Sequence, residues 1–88
     1  MRNNMSRLVR YLLILYKLKG RTRYVETEDL IHYLENQMGY RGFHGSVSHR
    51  TLQRDIQDIK DIFKVEIKHK KGYGYFIAER DEDPQFRY

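Results

Sequence analysis

The stretch S-V-S-H-R-T-L-Q-R-D-I-Q-D-I-K-D-I-F, from Ser46 to Phe63, reads as one amphipathic helix. Leu52, Ile56, Ile59 and Phe63 recur at helical spacing and make one apolar stripe. Ser48 is the expected N-cap, its hydroxyl accepting from the free amides of Arg50 or Thr51. At about 100° per residue the opposite face carries Arg50, Arg54, Gln57 and Asp61, with Gln53 beside it. That face is polarised. Its first two turns hold Arg and Gln, the side chains that bond guanine and adenine edges bidentately. Its later turns hold Asp58 and Asp61, which repel phosphate. A helix that enters a major groove by its N-terminal end is built this way. A solvated helix of mixed surface charge fits this stretch alone equally well.

The rest of the chain sets the bounds. With 88 residues, a single small domain is expected, burying roughly two-thirds of its unfolded surface. A hydrophobic fraction of 40% and an aromatic fraction of 14% favour a compact core over disorder. The absence of cysteine excludes disulfides and thiolate metal sites. No apolar run approaches ~18 residues, so no membrane span is expected. The start, M-R-N-N-M-S-R followed by Leu8 to Leu18, has the charged front and apolar middle of a signal peptide. It lacks a small-residue cleavage site, and Arg10 and Lys17 interrupt it. A soluble, cytoplasmic protein is the expectation.

The net charge of +5 is unevenly spread. Residues 1–25 hold Arg2, Arg7, Arg10, Lys17, Lys19, Arg21 and Arg23 and no acid, whereas residues 26–38 hold Glu26, Glu28, Asp29 and Glu35 and no Lys or Arg. Lys64, Lys68, Lys70 and Lys71 then face Glu66 alone across residues 64–78. If the basic segments share one side of the fold, they make a phosphate-attracting surface. Ordinary solubilising charge is the competing explanation.

Asn4 is the expected cap of a first helix over about 5–18, stopped by Gly20. Met5, Leu8, Val9, Leu12, Leu15 and Tyr16 form its expected inward stripe. Tyr11, Ile14 and Leu18 form a second apolar stripe on the far side, near Arg7, so the helix is expected to be covered on both faces. Arg21 to Val25 reads as a short basic extended link, with one or two residues of strand. Thr27 is expected to cap a second helix over about 28–38, with Glu28 and Asp29 in its first turn where the macrodipole favours acids. Leu30, Ile31, Leu34 and Met38 face its core side, with His32 and Tyr33 off the stripe. Gly39 is its expected end. The connector G-Y-R-G-F-H-G, Gly39 to Gly45, excludes regular structure. In it Tyr40 and Phe43 are expected to tuck onto the core, and Arg41 and His44 to point out. The leading helix spans about 48–63.

V-E-I-K-H-K-K-G-Y-G-Y-F-I-A, Val65 to Ala78, alternates β-branched and aromatic residues with polar ones. It reads as strands over about 65–70 and 73–78 joined by a two-residue turn at Lys71-Gly72. That register pairs Ile67 with Phe76 and Val65 with Ala78 on the core face, and Lys68 with Tyr75 and Lys70 with Tyr73 outside. The outer face, with Lys68, Lys70, Lys71 and Tyr73, suits a phosphate backbone; solubilising lysines at a hairpin tip are the plain alternative. Residues 1–80 form the expected domain. Residues 81–88 are an acidic tail or the start of a linker to a missing domain, with Phe86 and Tyr88 placed to dock.

Three helices followed by a hairpin define the expected fold: α+β, mainly α, a winged helix-turn-helix with a C-terminal β-hairpin wing. V-S-H-R-T-L-Q-R-D-I-Q-D-I, Val47 to Ile59, resembles the V-S-x-R-T-I-x-R-D-I/L pattern in the N-terminal domain of bacterial WYL-domain transcriptional regulators. K-K-G-Y-G-Y-F-I looks like the hairpin that follows in that family. The resemblance covers most of the chain, and its specific core is Ser48 to Ile56. It implies that Ser48, Arg50, Thr51 and Arg54 contact DNA. The glycine-rich connector is longer than the family's usual link between the second and third helices. The family also continues into a ligand-sensing WYL domain. This chain ends after the wing, so it is expected either to be a fragment or to bind DNA without a sensor.

Single residues carry alternatives. Thr51 either contacts phosphate or closes the capping turn. Asp55, beside the core stripe, is expected to pair with a basic residue of the first helix rather than touch a base. His32, His44, His49 and His69 show no metal spacing, and no cofactor is expected. His49, which opens the third helix, is either a surface residue or a donor to phosphate. The expected role is a sequence-specific double-stranded DNA-binding regulator, a repressor or the DNA-binding part of a ligand-sensing one, on a two-fold operator. The rivals are a winged-helix protein-interaction module without such binding, and an enzyme, which lacks a carboxylate pair or phosphate loop. Tyr11, Ile14, Leu18, Ile77, Phe86 and Tyr88 are the apolar groups left over, so a homodimer or an absent domain is expected to cover them.

Overall fold

Leu52 and Ile59 are fully buried, and the helix that carries them packs against the two helices before it. The computed structural model describes the backbone of residues 2–19 and 24–78, with side chains from Met5 onward within those ranges. Three helices, α1 (Arg2–Leu18), α2 (Thr27–Tyr40) and α3 (His49–Phe63), precede two strands, β1 (Ile67–Lys70) and β2 (Gly74–Ile77). The strands form an antiparallel hairpin. This is the α+β, mainly helical layout of a winged helix-turn-helix. The expected stop at Gly20, the basic link at Arg21 and Arg23, and the tail with Phe86 and Tyr88 lie outside the described residues. Among the described residues no helix is long and apolar enough to cross a membrane.

The core joins Tyr11, Leu13, Ile14 and Leu18 of α1 to Leu30, Ile31, Leu34 and Met38 of α2 and Leu52 and Ile59 of α3. Ile56 and Phe63, the other members of the α3 stripe, are half-buried against it. α1 is therefore turned the opposite way from the sequence expectation. Met5, Leu8, Leu12 and Tyr16 face solvent at 57%, 45%, 51% and 74% exposure, while Tyr11, Ile14 and Leu18 are buried. The cause is electrostatic. Asp55 is wholly buried, and a buried carboxylate must be paired. Arg10 supplies the partner: its Nε donates to one Asp55 oxygen and its Nη2 to the other at 3.0 Å. The Tyr11 hydroxyl donates to Asp58 at 2.6 Å. Turning Met5, Leu8 and Leu12 inward would swing Arg10 away and strand Asp55. The expected pairing of Asp55 with a basic residue of the first helix is thus the contact observed.

Helix ends differ from the sequence reading in instructive ways. α1 runs through Asn4 to Arg2, so Asn4 is not its cap; no Gly or Pro among residues 2–4 interrupts the turn. α2 begins at Thr27 itself, and the extended residue before it is Glu26, which makes no side-chain cap bond. Glu28 and Asp29 occupy the first turn as expected. The helix passes through Gly39 and ends in a Schellman turn, Phe43 N–H donating to the Met38 carbonyl at 2.9 Å and Gly42 N–H to that of Gly39 at 3.0 Å. Gly42, with φ of 89°, is the left-handed residue this motif requires. Phe43 packs on the core as expected, but Tyr40 is 82% exposed.

The wing is one residue out of the expected register. Ile67 pairs with Ile77, Lys68 with Phe76, His69 with Tyr75 and Lys70 with Gly74. A two-residue type I′ turn needs positive φ at both central positions, and Lys71 does not have it. Tyr73 N–H instead closes a turn onto the Lys70 carbonyl at 2.9 Å, with Gly72 at φ 86°. Tyr73 is left outside the ladder, which resumes at Gly74. Ile77 accordingly lies with buried Ile67 against the core, not on the outer face. Val25 adds a one-residue third strand, exchanging two bonds with Tyr75 at 2.8 and 2.9 Å. Gly74 is where that strand crosses closest: a Cβ there would sit 2.3 Å from the Val25 carbonyl oxygen.

Candidate nucleic-acid interface

The Ser48 hydroxyl accepts from Thr51 N–H at 3.0 Å, fixing the first turn of α3. The same Ser48 hydroxyl donates to Thr51 Oγ1 at 3.0 Å, so both side chains close the capping turn. Thr51 keeps its own hydroxyl proton for a further acceptor. Behind the cap, Val47 is buried and its N–H donates to Glu35 Oε2 of α2 at 2.8 Å. These contacts, with the Arg10–Asp55 and Tyr11–Asp58 bonds, hold α3 against both other helices.

The outer face of α3 is as its periodicity requires. Arg50, Gln53, Arg54 and Gln57 are all exposed. Arg50, Gln53 and Arg54 have no hydrogen bond or ion pair with any described residue. Gln57 donates to Asp61 at 3.3 Å, one turn on, so the first two turns are basic and open while the next is tied to an acid. His49 points sideways, its Nε2 2.9 Å from Glu28 of α2. That acid was not picked out from the sequence as a site neighbour. The signal for it was there: an acid in the first turn of one helix beside a histidine in the first turn of the next.

On the wing, Lys68 and Lys71 are exposed and likewise have no bond or ion pair with described residues. Lys70 is different. Its Nζ lies 4.6 Å from the centre of the Tyr73 ring and 5.7 Å from that of Tyr24. Tyr24 also contacts Tyr73 and Phe76, each at 5.2 Å between centres. A cation over two rings is held in place while its outer side stays in water. Tyr24, just before the Val25 bridge, is the support that sequence reading missed. Its position one residue ahead of a strand-forming valine was the available clue.

Two ionisable groups under the face are perturbed. Burial first, then the hydrogen bond to Asp58, pushes the Tyr11 hydroxyl up to about 12. The hydrogen bonds that Arg10 donates to Asp55 raise it above its ordinary value, against the effect of burial. Both belong to the scaffold. Among the described residues no group of three or more His, Asp or Glu side chains is placed to hold a metal. Comparison with family models, with curated proteins and with solved structures finds no match.

Proposed function

We propose that this chain is a sequence-specific double-stranded DNA-binding regulator acting in the cytoplasm, as a repressor or as the DNA-binding part of a ligand-sensing regulator. α3 lies in the major groove and the wing on the adjacent backbone. The observation that supports this best is the outer face of α3: Arg50, Gln53 and Arg54, open and unpaired among the described residues, on a helix locked from behind. Leaving two guanidinium groups without partners on an immobilised helix suits an anionic ligand, and arginine forks fit phosphates and guanine edges bidentately. Ser48 and Thr51 lie at the groove-facing end, where hydroxyls and helix N-terminal amides bind phosphate. His49 reaches phosphate by leaving Glu28. Lys68, Lys70, Lys71 and Tyr73 supply the backbone contacts of the wing. The resemblance of Val47 to Ile59 to WYL-domain regulators points the same way.

The experiment is a binding titration on random-sequence duplex across salt concentrations, followed by selection of a preferred site. Affinity should fall with salt by ~0.9 log units per log unit for each phosphate contact. The selected site should bind at least about 1,000-fold tighter than random duplex. No binding at low salt would sink the proposal in favour of a protein-interaction module.

A further inference from the structure

The wing carries three lysines in unlike settings. Lys68 and Lys71 are exposed, with neither an ion pair nor a ring contact among the described residues. Lys70 is exposed too, but its Nζ lies over two rings, 4.6 Å from the centre of Tyr73 and 5.7 Å from that of Tyr24. Backbone bonds place both rings. Tyr73 N–H closes the tip turn onto the Lys70 carbonyl at 2.9 Å. Tyr24 precedes buried Val25, which exchanges two bonds with Tyr75. The Tyr24 ring then packs on Tyr73 and Phe76, each at 5.2 Å between centres. The bridge thus brings a ring from outside the hairpin to a lysine near its tip. Glu66, the one acid of residues 64–78, is turned to Lys60 at 3.9 Å.

We infer that Tyr24 is a positioning residue for DNA binding: it holds the Lys70 ammonium ready for a backbone phosphate, so that Lys70 contributes more affinity than Lys68 or Lys71. The inference rests on the DNA-binding proposal. A lysine has a flexible four-carbon stem and loses rotamer freedom when it binds. Lys70 has given up much of that freedom in the free fold, whereas Lys68 and Lys71 give it up only on the phosphate. A ring face attracts the cation without taking a proton from it. The ammonium therefore keeps its N–H donors, and Lys70 can bond phosphate without leaving the rings.

The test is affinity of the 88-residue chain for random-sequence duplex at one low salt concentration, compared across variants. Immobilising one such side chain on binding is worth a factor of about 2 to 10. Lys70→Ala should exceed the loss of Lys68→Ala or Lys71→Ala by about that factor. Tyr24→Leu should lose a similar factor, and Tyr24→Phe, which keeps the ring face, should restore it. In a Lys70→Ala background Tyr24→Leu should cost nothing further. Without DNA, the ε-methylene protons of Lys70 should resonate upfield of those of Lys71, and Tyr24→Leu should move them back. Equal losses for the three lysines, in a wild type that binds, overturn the inference and leave the DNA-binding proposal standing. So does a Tyr24→Leu loss that is the same with Lys or Ala at position 70, since Tyr24 would then act through the wing as a whole. A wild type that does not bind duplex at low salt overturns both. The lysine comparison decides the matter should Tyr24→Leu fail to fold.

Discussion

α3 and the wing each present half of the basic surface, and they are held by different physics. α3 is fixed from behind by a buried ion pair, a tyrosine–aspartate bond and the Glu35–Val47 contact, so its open arginines ride on a rigid support. The wing is two four-residue strands, seated on the core by Ile67, Tyr75 and Ile77, bridged to Val25 and braced by a small cluster of Tyr24, Tyr73 and Phe76. Two short strands alone are marginal in water. Under the proposed function the difference would divide the tasks: a helix fixed from behind would discriminate between bases, and a short hairpin with its lysines outside the core contacts would follow a backbone of any sequence.

The largest effect should come from undoing the anchor of α3. Asp55→Ala leaves Arg10 unpaired, and breaking a buried pair costs about 3–5 kcal/mol. Arg10 keeps 16% exposure, so the lower end is expected in urea denaturation. Sequence preference should weaken with it while salt-dependent binding survives. An unchanged midpoint would show that the pair does not anchor α3. Gly74→Ala attacks the wing instead. Its Cβ meets the Val25 carbonyl and its φ of 125° is strained for alanine, for a cost of about 1–3 kcal/mol. Thermal unfolding should show the loss, and hydrogen exchange at Val25 and Tyr75 should quicken. Slow exchange at both amides in the variant would mean that the bridge is not what holds the wing.

The next contrast is between the two surfaces themselves. Arg50→Ala or Arg54→Ala should cost ~1–3 kcal/mol, and should relax base preference where the side chain reads a base. Full affinity in both variants, at low and moderate salt, would remove α3 from the interface. Replacing Lys68, Lys70 and Lys71 together by Ala should lower affinity for all sequences alike and flatten the salt slope by ~0.9 for each phosphate no longer neutralised. A slope identical to wild type would leave the wing out of contact with DNA.

The smallest effect is alkaline. The Tyr11 hydroxyl titrates near 12 in the fold and near 10.0 when free. Between those values the unfolded chain loses the proton first, so stability is full below pH 10 and declines as pH rises toward 12. Tyr11→Phe should flatten that part of the stability–pH curve, as read by denaturation at several alkaline pH values. An unchanged slope would mean that burial and the Asp58 bond do not hold the Tyr11 proton.

How legible each element was depended on how many faces it offered. α3 has one apolar stripe and a serine cap, so its orientation and its open arginines could be read directly. α1 has apolar residues on both sides, and hydrophobicity could not choose between Met5/Leu8/Leu12 and Tyr11/Ile14/Leu18. The deciding signal was polar. Once Asp55 needed a basic partner on the first helix, Arg10 had to face inward, bringing Tyr11 and Ile14 with it. The hairpin register was missed because the sequence offers two glycines, Gly72 and Gly74, and the second serves a close approach to Val25 that only the assembled fold reveals. The end of α2 was misplaced for a related reason, since Gly39 comes first along the chain while Gly42 takes the left-handed position.

The link from Arg41 to Ser48 shows how a helix-turn-helix can grow. The angle of α3 to α2 is set where Val47 is buried and bonded to Glu35, downstream of the exposed Gly42, His44, Gly45 and Ser46. Residues added between His44 and Ser46 would enlarge a surface bulge without moving that anchor, and doubling a flexible loop costs only about 0.6 kcal/mol in closure entropy. The segment is therefore a permissive insertion point, where a peptide tag or a grafted loop can be carried while the third helix keeps its pose.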